Sequence, residues 1–270
     1  MNYFVLFVAS IQVRFTIMIS NTELKRLTSL RQGKYRKLHG QYLLEGVRLL
    51  EEALSAGVKI SKLWHQPEDE QNDLQKSLIL SAVQKGIPTE ETTADTLLKL
   101  SDTVHHQGVI GEATLPESAE LALSMGESLL YLEEIRDPGN LGTILRTGWW
   151  FGIKHIALSP QCVDPYNPKV VRAGMGAHFN LSIYTQAKLE KIANLGHKIV
   201  AADQYGEPLE SIQKIDNPFC LVIGSEANGI SENSRAVANE IVSIPGNSGA
   251  DSLNVAVAAG ILLFTLLDCP

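Results

Sequence analysis

The chain has 270 residues, 44% of them apolar and 20% charged, enough for one large or two ordinary domains and too apolar for wholesale disorder. A formal net charge of −7 excludes a global basic field, so any contact with nucleic acid must come from a local patch. Cys162, Cys220 and Cys269 show no Cys-x-x-Cys spacing, so neither a disulfide framework nor a metal site is indicated, and a reducing, cytoplasmic compartment is the plain reading.

Residues 1–20 read as an N-terminal extension. The first 17, MNYFVLFVASIQVRFTI, are apolar, but no basic residue precedes them and Arg14 interrupts the run. That speaks against a signal peptide or a membrane span. The expectation is that translation begins at Met18 and that the earlier residues reflect an upstream start.

Residues 21–115 read as a small α/β domain. Between Leu24 and Arg48 stand seven basic residues (Lys25, Arg26, Arg31, Lys34, Arg36, Lys37, Arg48) and one acid, Glu45. Such a run is either a solvated helix face or, with Tyr35, His39 and Tyr42 interleaved, a surface for phosphates and bases. Glu45–Gly57 carries Val47, Leu50 and Leu54 on one helical face and stops at a glycine. ISKLWHQ follows as a strand, then a loop into a second helix, a short helix and a last strand. His105-His106 has no metal-ligand spacing around it.

Residues 116–127 read as a linker, and from 128 to 270 strands alternate with helices. LLYLEEI, HIALS, LSIYT, KIVAAD, FCLVIG and IVSIP have buried-strand character, and helices start near Leu141, Pro168, Lys188, Ser231 and Ser252. This pattern implies a parallel sheet covered on both faces. Ligands in such sheets bind outside the carboxyl ends of the strands, where three polar loops fall.

In the first loop, Asp137-Pro138-Gly139-Asn140 is a turn with Asn140 placed to cap the next helix. Arg146 on that helix is either a paired structural residue or a fork for phosphate. The second loop, LVIGSEANGIS, has Gly224 and Gly229 at turns and Glu226 as a lone charge, a solvated turn residue or a site carboxylate. It is neither a Gly-x-Gly-x-x-Gly nor a P-loop. In the third, IPGNSGADSLNVAVAAGI, Ser252 is placed to cap a buried helix, which leaves Asn254 in the first turn unexplained. NPKVVRAGMGA adds Asn167, Lys169 and Arg172, which alone read as a capped helix with surface charge.

Together these segments resemble the motifs of the SpoU, or TrmH-like, branch of the SPOUT RNA methyltransferases. Asn140, Gly142 and Arg146 in DPGNLGTILRT match the first motif, IGSEANGIS the second and IPGNSGADSLNVAVAAGI the third, with NPKVVRAGMGA between them. SLRQGKYRKLHGQYLLEGVRLLEEAL is similar, more loosely, to the RNA-binding domain that precedes the catalytic domain in many members.

The resemblance implies an α/β, parallel-sheet SPOUT catalytic domain with a C-terminal trefoil knot, preceded by a small α/β RNA-binding domain. Periodicity shows no knot, and knots are otherwise essentially absent from proteins. It further implies a homodimer, S-adenosylmethionine as cofactor, and methyl transfer to a ribose 2′-OH of RNA, ribosomal RNA above all. Cofactor contacts would fall on Gly224, Ile244 and Leu253, and active-site roles on Asn140, Arg146, Glu226, Ser252 and Asn254. RNA contacts would fall on Arg31, Lys34, Arg36, Lys37 and Arg172. The sequence departs from the family pattern at Trp149-Trp150, at Gly174 where serine is frequent, and at Gly246 where methionine is usual. The rival readings are a tRNA ribose methyltransferase, a noncatalytic RNA-binding or ribosome-assembly protein, and a dehydrogenase, the last disfavoured by the missing glycine fingerprint.

Overall fold

A computed structural model describes residues 19–67, 73–102, 107–117, 126–209, 218–247 and 252–267. The expected start at Met18, the His105-His106 pair, Cys269, Ser248 and Asp251 lie outside these residues.

The N-terminal unit runs α1 (Asn21–Ser29), α2 (Gly33–His39), β1 (Gln41–Glu45), α3 (Val47–Ser55), β2 (Ile60–His65), α4 (Asp73–Gln84), β3 (Thr89–Glu91), α5 (Ala94–Leu100) and β4 (Val109–Thr114). Its sheet has the order β1-β4-β2-β3, with β4 antiparallel to both neighbours and β2 parallel to β3. Ser20 caps α1 by accepting from the Glu23 N–H at 3.1 Å. Glu45 does not open α3, as the sequence reading had it. It ends β1, and Gly46, at φ 107°, turns the chain into the helix. α3 buries Val47, Leu49, Leu50, Ala53 and Leu54.

The second unit contains β5 (Leu129–Leu132), α6 (Pro138–Trp150), β6 (His155–Leu158), α7 (Pro168–Gly174), a 3₁₀ turn (Ala177–Asn180), β7 (Ser182–Tyr184), α8 (Leu189–Ala193), β8 (Lys198–Pro208), β9 (Phe219–Ile223), α9 (Glu232–Val237), β10 (Glu240–Ser243) and α10 (Val255–Leu266). All pairs in its sheet are parallel, in the order β10-β8-β9-β5-β6-β7. Side chains alternate across the strands. Leu130, Leu132, Leu221 and Ile223 join a core with α6 and α10, whereas Leu129, Tyr131, Cys220 and Val222 join a second core with α8. No helix among the described residues is long and apolar enough to cross a membrane.

Helix α7 joins the two units. Val170 packs in the core of the second unit with Ile144, while Val171 packs in the N-terminal core with Tyr42 and Leu50. α6 crosses α7 at Gly142, where a Cβ would lie 2.5 Å from the Val170 carbonyl oxygen and from the Ala173 Cβ. Gly174 likewise faces the His178 ring, 2.7 Å from where its Cβ would stand, so the serine frequent in the family has no room here.

Charged groups seal the same interface. Arg36 is 2% exposed. Its Nε donates to Asp164 Oδ2 at 3.1 Å, its Nη2 to the same oxygen, and its Nη1 to the Leu30 and Arg31 carbonyls at 2.8 Å each. The expected RNA contact at Arg36 is therefore wrong: its donors are committed inside the protein. Arg172 faces Glu45 at 3.6 Å and Asp102 at 3.5 Å. Arg31 donates to the Lys99 carbonyl at 2.8 Å and to the Ser101 carbonyl. Both are held by the protein rather than presented as free cations. Lys34 and Lys37 are exposed, and Lys34 Nζ lies 5.7 Å from the Tyr35 ring centre.

His178 completes the interface. Its Nε2–H donates to the Pro165 carbonyl at 2.8 Å and its ring lies 5.8 Å from Tyr166, which in turn lies 5.0 Å from Tyr42. Burial pushes the His178 imidazole down to about 4, and lifts the Tyr42 and Tyr166 hydroxyls above the ordinary phenol range.

Candidate active site at the carboxyl ends of the strands

From β5 the chain moves outward through β6 and β7, then returns to place β8, β9 and β10 on the other side of β5. The order reverses between β5 and β9, which opens a crevice at their carboxyl ends. The loops following β5 and β9 are those that carry Asn140 and Glu226.

Each loop is built by local chemistry. Asp137, not Asn140, caps α6: its Oδ1 accepts from the Asn140 N–H at 2.8 Å, and Pro138 takes the first helical position. The Asn140 side chain is thereby released from capping. After β9, Ser225 and Gly229 exchange backbone hydrogen bonds at 3.0 and 2.9 Å. That turn needs Gly229 at φ 66° and needs no side chain at Gly224, whose Cβ would sit 2.1 Å from the Gly229 backbone. At the third loop, Asn254 rather than Ser252 caps α10, its Oδ1 accepting from Ala256 N at 2.9 Å and Val257 N at 3.3 Å. Capping thus explains Asn254, which the sequence reading had left over, and not Ser252, to which that reading had given the cap.

Three loops far apart in sequence then meet. Asn254 Nδ2 donates to Asn140 Oδ1 at 3.0 Å, and Asn140 Nδ2 donates to Glu226 Oε1 at 2.8 Å. An amide can accept from one neighbour and donate to a carboxylate at once, which suits asparagine to the middle position. The chain of bonds fixes how the Glu226 carboxylate faces the adjoining cleft.

That cleft measures about 750 Å³, within the range of small-molecule sites. Gly224, Glu226, Ile244, Ser252 and Leu253 all line it, over an apolar floor that includes Val242, Val255 and Leu262. The lining suits S-adenosylmethionine: apolar surface for an adenine, closely approaching backbone for its polar edge, and the Glu226 carboxylate for a positively charged centre. Arg146 stands apart on α6, exposed, with no hydrogen bond or ion pair among the described residues. The space around Gly246 is open, with nothing within 4 Å of its added Cβ, so the methionine usual there has room. Sequence reasoning missed one feature of the cleft. Asp203, Gln204 and Tyr205 line it, and no motif marks them.

The model of the SpoU rRNA Methylase family matches residues 127–264, and that of the MRM3-like substrate binding domain matches residues 21–111. An uncharacterised tRNA/rRNA methyltransferase of Synechocystis is 32% identical over 255 residues, covering 90% of each chain. The 23S rRNA (guanosine(2553)-2′-O)-methyltransferase RlmP of Bacillus subtilis is 27% identical over 91% of this chain and 96% of its own. The crystal structure of an AdoMet-bound rRNA methyltransferase from Sinorhizobium meliloti superposes with a TM-score of 0.80 at 29% identity, covering 91% of this chain and 94% of that one.

Proposed function

The chain belongs to the SpoU rRNA methylase family, and from that premise we propose that it methylates a ribose 2′-OH of ribosomal RNA, with S-adenosylmethionine as donor. The observation that carries the reading is the Asn254–Asn140–Glu226 chain beside the cleft at the strand-order reversal. Gly224, Ile244 and Leu253 would hold the cofactor, which supplies an electrophilic methyl group when bound.

The protein's own contribution is positional. The hydrogen-bonded amides hold Glu226 in one orientation at the cleft, without reorganisation during reaction. Arg146 has its planar fork free, which suits it to grip a substrate phosphate and so orient the neighbouring ribose hydroxyl. A guanidinium is not a base at neutral pH, so this role is binding and electrostatic rather than proton abstraction. Ser252 lines the same cleft as Glu226. Lys34 and Lys37 on α2 present exposed charge for RNA outside the catalytic unit.

We further read the protein as a homodimer with a trefoil-knotted C-terminus, working in the cytoplasm. α6 and α10 pack together and expose Trp149, Trp150, Val257, Ile261 and Phe264, with Trp150 83% and Phe264 67% accessible. A second copy of the chain would cover that patch. The knot accords with α10 returning from the far edge of the sheet, after β10, to pack on α6.

The deciding experiment is transfer of labelled methyl to unmodified 23S-type ribosomal RNA and to transfer RNA, followed by alkaline hydrolysis, which 2′-O-methylated linkages resist. Alkali-resistant label in ribosomal RNA alone supports the reading. Label in transfer RNA alone, or label released by alkali, refutes it. Arg146→Lys, which keeps the charge and loses the fork, should lower turnover; full activity would remove the argument for a planar grip.

A further inference from the structure

Strand β8 does not run straight along β10. Ile241 pairs with Ala201 and the next residue, Val242, pairs with Glu207. Residues 202–206 therefore have no register partners on β10 and form an arch whose far end, Gly206, lies back against the β10 backbone. Bulges of this kind beside a site re-aim side chains.

The arch is firmly held. Ser243 Oγ donates to the Gly206 carbonyl at 2.9 Å, and a Cβ on Gly206 would stand 2.7 Å from the Ile241 and Val242 backbone. Asp203 works from inside. Its Oδ1 accepts from the Tyr205 N–H at 2.9 Å, its Oδ2 accepts from Arg235 Nη2 on α9 at 2.7 Å, and its side chain is only 8% exposed. What this scaffold presents at its tip is the Tyr205 ring, 81% exposed, on the wall of the cofactor cleft. A side chain so exposed contributes nothing to the core.

We propose that Tyr205 is a platform on which a base of the RNA substrate stacks, next to the nucleotide whose ribose is methylated. The proposal rests on the methyltransferase reading above. Two observations select a base over a phosphate. The charged residues that line the cleft, among the described residues, are Asp203, Glu226 and Arg235, and Arg235 is committed to Asp203 and faces Glu232 at 4.0 Å. A phosphate would meet net negative charge, whereas the flat face of a base needs none. The cleft already has its own apolar floor in Val242, Ile244 and Leu262, which leaves the exposed ring for the larger ligand.

The test compares wild type, Tyr205→Phe and Tyr205→Ala. It uses unmodified 23S-type transcript for KM and for direct binding, and S-adenosylhomocysteine calorimetry for the cofactor cleft. Tyr205→Ala should raise the KM and Kd for RNA by about 5- to 150-fold, the range of one lost base stack. Tyr205→Phe should stay within about twofold, and cofactor affinity and melting temperature should not move. Unchanged RNA binding in Tyr205→Ala overturns the platform, as does a loss confined to S-adenosylhomocysteine, which would make the ring a wall of the cofactor site. Failure of the underlying reading shows separately, as a wild type that transfers no methyl. The ratio of direct RNA affinities then still decides the platform, and a wild type that binds no RNA overturns it.

Discussion

Arg36→Ala separates a structural arginine from an RNA contact. The substitution removes two donors from Asp164 and one nitrogen shared by the Leu30 and Arg31 carbonyls. Removing one partner of a buried ion pair costs about 3–5 kcal/mol when the remaining charge is left uncompensated. The Asp164 side chain is 29% exposed, so water recovers part of that loss, and a value near the lower limit, about 3 kcal/mol, is expected. The assay is urea unfolding followed by tryptophan fluorescence, with the slope checked to confirm that the end states are unchanged. Lys37→Ala, one position on and exposed, is the companion: stability within about 0.5 kcal/mol of wild type and weaker RNA binding. An Arg36→Ala protein as stable as wild type but impaired in RNA binding would mean that the guanidinium faces solvent, and the interdomain ion pair would fall.

Three further outcomes follow from the geometry. The His178 imidazole is held near 4, below the 6.5 of an unfolded chain, so the unfolded state binds more protons between those values and stability rises with pH across that window. The protein should be about 3 kcal/mol less stable at pH 4 than above pH 6.5 through this group, and His178→Gln should flatten that slope; an unchanged slope would assign it elsewhere. Gly142→Ala should destabilise by about 1–3 kcal/mol through overpacking against α7, outweighing the roughly 1 kcal/mol that alanine gains in a helix, whereas Gly246→Ala should be near neutral. Equal unfolding midpoints for the two would show that the α6–α7 crossing yields to a Cβ at Gly142. Asn140→Asp sets a carboxylate against Glu226 where an amide donated, so it should lower kcat/KM more than Asn140→Ala does. Equal losses in steady-state assays would remove the Asn140–Glu226 bond from the site's working geometry.

The strands were legible because β5 and β9 are buried on both faces, and such strands read as unbroken apolar runs. Helix starts were less so. Asp137 and Asn140 are both capping residues, as are Ser252 and Asn254, and composition alone does not say which one takes the cap. Pro138, preferred at the first helical position, was the available clue for Asp137. The Asn254–Asn140–Glu226 chain joins residues 114 and 86 positions apart, a meeting that only the strand order creates. Arg36 and Lys37 are equivalent members of a basic run until Asp164, 128 residues away, buries one of them. The arch at Tyr205 left no sequence signal, since its cause is a register jump against β10.

Helix α7 also has a consequence for biosynthesis. Val171 closes the N-terminal core, yet it is made well after the last strand of that unit, β4, ends at Thr114. At about 5–20 residues per second, the interval from residue 114 to residue 171 lasts about 3–11 s. Through that time the seat beside Tyr42 and Leu50 lacks the Val171 side chain, and for most of it the Arg36 guanidinium has no Asp164 to meet. The substrate-binding unit thus emerges first but finishes folding only as the catalytic unit begins to form.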